Sequence, residues 1–226
     1  EGGDILDIGG ESTRPGAPKV TLDEELARIV PVVQAAVSWQ VPVSVDTCKP
    51  EVMQAVLDLG ADIVNDIWGL RQPGAIDVLA RHPDSGVCLM HMQGEPLHMQ
   101  ISPMEGEALG PVCTFLQAHA QRLQQQGIAA SRIALDPGVG FGKTVAQNFE
   151  LLQGQSALLA LGYPLLVGWS RKSSLGAVTG SPVNERLVPS VVAAVLAVER
   201  GAHIVRVHDV AATVQALQVW RASRGG

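Results

Sequence analysis

Cysteine is scarce in this chain. The three present, Cys48, Cys88 and Cys113, stand far apart and form no Cys-x-x-Cys pair. That argues against a disulfide framework and a zinc ribbon, and fits reduced thiols in a cytoplasmic protein. Positive charge is also short: 16 Lys and Arg stand against 22 Asp and Glu, a formal net charge of -6. The balance argues against nucleic acid as the partner, although an acidic average leaves room for a local basic pocket. No apolar run reaches the roughly 18 residues that cross a bilayer, so no membrane is expected. The opening residues do not read as a signal peptide. Linkers and low-complexity segments are missing too, so the reading is one domain over residues 1–226. At 46% hydrophobic, that domain can bury a substantial core.

What is present is a repeating layout. Asp4-Ile5-Leu6-Asp7-Ile8 is a short, mostly apolar run. It turns abruptly into Gly9-Gly10-Glu11-Ser12-Thr13-Arg14-Pro15-Gly16. Such runs, bounded by turn residues, read as buried strands. The pattern recurs: strands are predicted over 41–45, 62–64, 86–90, 132–135, 164–167 and 204–207, each ending in polar residues. Helical spacing or caps predict helices between and after them, starting at Thr21-Leu22-Asp23-Glu24, a capping-box-like opening. The others cover 51–59, 74–82, 112–126, 146–161, 184–200 and 210–222. Residues 95–110 read as a loop. Seven strands alternating with seven helices predict an α/β fold, the (β/α)8 TIM barrel. A doubly wound sheet is the structural alternative. Glu1-Gly2-Gly3 reads as a helix end with its C-cap glycine. The expectation is therefore a barrel lacking its first strand and helix here, with an open seam between its second and eighth strands.

In a parallel barrel the C-terminal strand ends face one mouth. Collected there are Asp7, Glu11, Thr13 and Arg14, then Asp46, Asn65, Met90 and His91, Asp136, Ser170 to Lys172, and Arg206 and His208. Asp46, Asn65 and Asp136 can accept from the donor-rich edge of a flat heterocycle. Arg14, Lys172, Arg206 and His208, with the hydroxyls of Ser12, Thr13 and Ser173, suit an anion with several oxygens. Each residue has a plain alternative: a strand-end Asp often caps a helix, and a Lys or Arg is often surface charge. The joint pattern carries the argument, because the basic residues gather at the last two strands, the usual phosphate quarter of such barrels.

Other motifs fail on inspection. Gly142-Lys143-Thr144 resembles a P-loop, but Pro137 occupies the position where that motif needs its first Gly. The glycines of 138–142 read instead as a flexible loop bringing Phe141 over a planar ligand. His91 and His98 make a weak metal pair. His82, His119 and His203 read as structural, Trp39, Trp68 and Trp220 as packing residues, and Trp169 as a possible site residue.

Taken in order, these segments resemble the dihydropteroate synthases. The resemblance rests on Gly10-Glu11-Ser12-Thr13-Arg14-Pro15-Gly16, Val45-Asp46-Thr47, Asn65-Asp66-Ile67 and Leu89-Met90-His91-Met92-Gln93-Gly94. It continues through Asp136-Pro137-Gly138-Val139-Gly140-Phe141-Gly142-Lys143, Ser170-Arg171-Lys172-Ser173 and Arg206-Val207-His208-Asp209. That family of TIM barrels condenses 6-hydroxymethyl-7,8-dihydropterin diphosphate with para-aminobenzoate, in folate biosynthesis. Sulfonamides compete with para-aminobenzoate. The resemblance implies that Asp46, Asn65 and Asp136 hold the pterin, with Met90 and Gly168 lining it and Lys172 bonding its edge. It implies that Arg206 stacks on the ring and reaches the diphosphate with His208. Thr13, Arg14, Pro15, Phe141, Lys172 and Ser173 would border para-aminobenzoate. Lys172, Arg206, His208, Asp46 and Asp136 are the implied catalytic groups. Mg2+ and a homodimer are implied as well, but the Asn expected to ligate Mg2+ would lie upstream of Glu1. Residues 102–112 depart from the family pattern. The chain as given is therefore expected to bind pterin but to catalyse poorly. Two other readings stay open: a methyltetrahydrofolate-type methyltransferase, and a non-catalytic pterin-binding module.

Overall fold

The computed structural model describes residues 2–13, 16–94, 99 and 101–225. Among them seven parallel strands alternate with helices. The strands are β1 (Leu6–Gly9), β2 (Val43–Asp46), β3 (Ile63–Asp66), β4 (Gly86–Met90), β5 (Ile133–Asp136), β6 (Leu166–Val167) and β7 (Ile204–Val205). β1 to β5 pair consecutively, β6 pairs with β7, and a bridge from Leu135 to Leu165 joins the two groups. β2 is buried at all four positions. Helices cover the outside of such a strand and side chains fill the inside, so all of its Val-Ser-Val-Asp run is buried although it alternates apolar and polar.

Among the described residues nine α-helices flank the strands: α1 (Leu22–Ala36), α2 (Pro50–Asp58), α3 (Ala75–Arg81), α4 (Leu109–Gln125), α5 (Val145–Gln153), α6 (Gln155–Leu159), α7 (Ser173–Thr179), α8 (Leu187–Glu199) and α9 (Val210–Ser223). Local chemistry fixes several starts. The Thr21 hydroxyl accepts from the Glu24 amide, and Pro50 opens α2 where its missing N–H costs nothing. Thr144 and Gln147 form a reciprocal capping box at α5.

Two helices differ from expectation. The helix expected over 146–161 is two, broken at Gly154. A Cβ there would lie 2.3 Å from a Leu109 methyl carbon, so the backbone approaches α4 too closely for a side chain. The helix α7 was not expected. Its Ser173-Ser174-Leu175-Gly176 opening has little helix propensity. Arg186 lies across Gly176 and donates to Ser181 and Arg171 carbonyls, so tertiary contacts hold α7 in place.

Among the described residues no backbone pairing joins β1 to β7. Side chains meet across that gap instead: Arg206, just beyond β7, donates from Nε to Asp7 of β1 at 2.5 Å. No described helix is long and apolar enough to cross a membrane.

Candidate active site

The strand ends open on a cavity of about 760 Å³. Asp46, Asn65, Met90 and Asp136 reach it from β2, β3, β4 and β5, and Gly168, Arg206 and His208 from just beyond β6 and β7. Thr13, Phe141, Lys172 and Ser173 also line it. All the described residues to which the family resemblance gives a substrate or catalytic role thus line one cavity. Arg14 and Pro15, and His98 of the weak metal pair, lie outside the described residues.

Register places the three acceptors. Asp46 pairs with Asn65 across β2 and β3, and Met90 with Asp136 across β4 and β5. Asp46, Asn65 and Asp136 are 7%, 5% and 7% exposed. Removal from water disfavours a carboxylate, so burial pushes Asp46 up to about 7, against the pull of Arg206 and with help from Asp7. Burial likewise raises Asp136, opposed by the Gly138 amide, which donates to its Oδ1 at 2.7 Å. Each acid sits near a donor and lines the cavity.

Arg206 spans two acids, Asp7 and Asp46. Its Nε donates to Asp7 Oδ2 at 2.5 Å and its Nη2 to Asp46 Oδ2 at 3.1 Å. The Asn65 amide also approaches Asp7 Oδ2, at 3.5 Å. Beside it, the Lys172 ammonium lies 4.1 Å from the Phe141 ring centroid, a cation–π distance. Burial draws Lys172 down to about 8, resisted by Asp136. The Ser170 hydroxyl links the last two strands: it accepts from the His208 amide at 3.1 Å and lies 2.9 Å from His208 Nδ1.

The loop after β6 is strained in order to present these groups. Arg171 holds φ +58°, a conformation uncommon outside glycine. A bidentate pair with Asp209 holds it, and the Ser190 hydroxyl takes its amide. The sequence places Arg171 among the strand-end residues, and its guanidinium is spent on Asp209.

The glycine-rich loop after β5 is not loose. Lys143, 3% exposed, runs back beneath it. Its ammonium faces the Gly138 carbonyl at 2.9 Å, the Phe141 carbonyl at 3.1 Å, the His91 carbonyl at 3.3 Å and His91 Nδ1 at 3.0 Å. Burial lowers Lys143 to about 7. Burial first, and then Lys143, lowers His91 to about 3, so His91 is neutral and its Nδ1 can accept. A Cβ on Gly138 would sit 1.8 Å from the His91 carbonyl oxygen, and one on Gly142 2.4 Å from that of Gln93. These glycines allow two loops to pack backbone to backbone; they do not supply mobility. Asn148 completes the clamp, accepting from the Gly140 amide and donating to Ser174 of α7, each at 2.8 Å.

The loop after β1 is tied down at its ends. Glu11 accepts from the Val20 amide at 3.1 Å and from Lys49 at 2.5 Å. Lys49 also pairs with Glu25, which is 1% exposed and accepts from Thr47 at 2.7 Å. The roles of Lys143, Asn148 and the Glu11–Lys49–Glu25 cluster were not read from sequence. Lys143 and Glu11 show there only as members of motifs, because His91 lies 52 residues from the first and Lys49 38 residues from the second. Trp169 also corrects the sequence reading: it is 2% exposed and packs against Phe149 in the core, not in the cavity. Trp39, expected to pack, is 59% exposed. All three cysteines are free thiols.

The chain matches the family described as pterin binding enzyme over residues 1–208. Fold and site together define a pterin-binding barrel enzyme. The chain is 51% identical over 225 residues to a dihydropteroate synthase of Neisseria meningitidis serogroup C, covering 98% of this chain and 80% of that one. It superposes with TM-score 0.93 and 56% identity on Burkholderia cenocepacia dihydropteroate synthase complexed with 7,8-dihydropteroate, over 99% of this chain and 82% of that one. The Xanthomonas albilineans enzyme with 4-aminobenzoic acid matches at TM-score 0.94 and 46% identity, over 100% and 81%. The chain belongs to the dihydropteroate synthase family.

Proposed function

We propose that this cavity joins 6-hydroxymethyl-7,8-dihydropterin diphosphate to para-aminobenzoate, giving 7,8-dihydropteroate and diphosphate. The observation that carries the reading is the segregation of charge: buried acceptors on β2, β3 and β5, cations at β6 and β7. Asp46, Asn65 and Asp136 accept from and orient the pterin edge, with Met90 and Gly168 against the ring. Arg206 and His208 face the diphosphate. Lys172 serves both the ring edge and para-aminobenzoate, which Thr13, Phe141 and Ser173 border.

The chemistry follows from that arrangement. The methylene carbon–oxygen bond breaks, its electron pair leaves with the diphosphate, and a pterin-stabilised cation remains. Preformed cations favour the leaving group and buried carboxylates favour the cation, without reorganisation during the step. The aromatic amine then attacks the methylene carbon and loses a proton. No side-chain nucleophile is needed, so the buried Cys88 and half-buried Cys48 have no part.

Mg2+ belongs to the family resemblance. Among the described residues no three His, Cys, Asp or Glu side chains converge on an ion. The described residues do not form a metal site by themselves, and the departure of diphosphate is assigned here to Arg206 and His208.

The protein is proposed to act in the cytoplasm as a homodimer. Its three free thiols support the first assignment. The second is supported by an apolar strip on α8, where Leu187, Val188, Val192 and Leu196 are 45%, 69%, 51% and 39% exposed.

The test is turnover with both substrates. Dihydropteroate and diphosphate are expected in equal amounts. Pterin binding without product would leave a binding module and remove the enzyme reading.

A further inference from the structure

We infer that Asp7 is a positioning residue for Arg206, holding its guanidinium when the substrate takes Asp46. The inference rests on the pterin reading above. Arg206 is now divided between two acids: Nε donates to Asp7 Oδ2 at 2.5 Å, and Nη2 to Asp46 Oδ2 at 3.1 Å. Asp7 has a second oxygen, Oδ1. It is buried and has no hydrogen-bond partner among the described residues. Nε and Nη2 lie on one edge of the guanidinium and ordinarily fork onto both oxygens of a single carboxylate. Asp7 therefore has the vacant acceptor that completes such a fork.

A heterocycle that donates to Asp46 competes with Nη2 for the same oxygens. Without another acceptor, binding would strand a charged N–H in a partly buried place, which is costly. Swinging Nη2 to Asp7 Oδ1 removes the conflict. The Arg206 side chain is 42% exposed, enough to allow that rotation, while Asp7, at 18%, stays fixed beside Asn65. Arg206 would then remain in the cavity, facing the anion, with Asp46 released to the ring. Asp7 touches neither substrate in this account and acts only through Arg206.

Calorimetric titration with the dihydropterin diphosphate tests this in wild type, Asp7→Asn, Arg206→Gln and the double variant. Wild-type binding tests the functional reading; the cycle among variants tests Asp7. Asp7→Asn is expected to weaken binding about tenfold, the scale of one charge-assisted hydrogen bond. On the Arg206→Gln background the same change is expected to have no further effect. Wild-type affinity in Asp7→Asn, or an undiminished loss on the Arg206→Gln background, would overturn the inference. If Asp7→Asn does not fold, Arg206→Lys replaces it: the charge stays but the fork is gone. A comparable loss is expected, and unchanged affinity would overturn the inference.

Discussion

Asp46 shows how binding and stability oppose each other at one residue. Its carboxyl ionises near 3.8 in ordinary surroundings and near 7 in the folded chain, chiefly through burial. Below pH 3.8 it is protonated in both states. As pH rises toward 7 the unfolded chain releases the proton first, so stability falls through that window and is level above it. Asp46→Asn removes the ionisation. It should raise stability at pH 8 by on the order of 2–4 kcal/mol, and by almost nothing at pH 4. Denaturant melts at the two pH values check this. Turnover should fall at least a hundredfold, because an amide cannot supply the same negative charge to the ring. Lys172 behaves in parallel. Burial already draws its ammonium down to about 8, so the fold gains little from it. Lys172→Ala should cost about 100-fold in kcat/KM while unfolding cooperatively within a few degrees of wild type. A misfolded variant would remove the evidence for its site role.

Among the elements, the β5 loop is the clearest case of a function that depends on packing. Lys143→Met leaves the carbonyls of Gly138, Phe141 and His91 without their shared donor. Buried unsatisfied acceptors cost roughly 1–3 kcal/mol each, so a loss of at least 3 kcal/mol is expected. A rise in KM for para-aminobenzoate should accompany it, as Phe141 loses its support. Steady-state kinetics beside melts would separate the two effects. An equal kcat/KM in the variant would show that the clamp does not position Phe141. Here the sequence was legible only in part. Gly138 and Gly142 were visible as a glycine-rich loop, but their reason is close approach to His91 and Gln93 on the neighbouring loop after β4. The same holds at α4, expected to begin near Val112. It begins at Leu109, because Glu150 of α5 accepts from the Ala108 and Leu109 amides. A cap supplied from 41 residues away leaves no local pattern. Glu150→Ala should lower stability by about 1 kcal/mol, the usual scale for a lost N-cap, with activity retained.

At the scale of the whole molecule, the strand–helix alternation was legible because each buried strand is an apolar run ended by polar residues. The site was legible for the same reason: a parallel barrel converts seven separate strand ends into one mouth. Contacts between distant segments were not, such as Arg206 meeting Asp7 across the unpaired gap between β1 and β7. Also hidden was the exposed strip on α8. If it is the homodimer contact, Val188→Asp should shift the mass seen by light scattering from two chains to one and abolish the fall in melting temperature that the wild type shows on dilution. A dimer that persists in the variant places the contact elsewhere.

The central claim is that one cavity holds the heterocycle on Asp46, Asn65 and Asp136 and the anion on Arg206 and His208. A crystal structure with 7,8-dihydropteroate and diphosphate tests it most directly. The ring edge is expected within hydrogen-bond distance of those three residues, with diphosphate oxygens against the Arg206 guanidinium. Product seated instead in the smaller pocket beside Lys49 and Gln72, of about 190 Å³, would contradict the account.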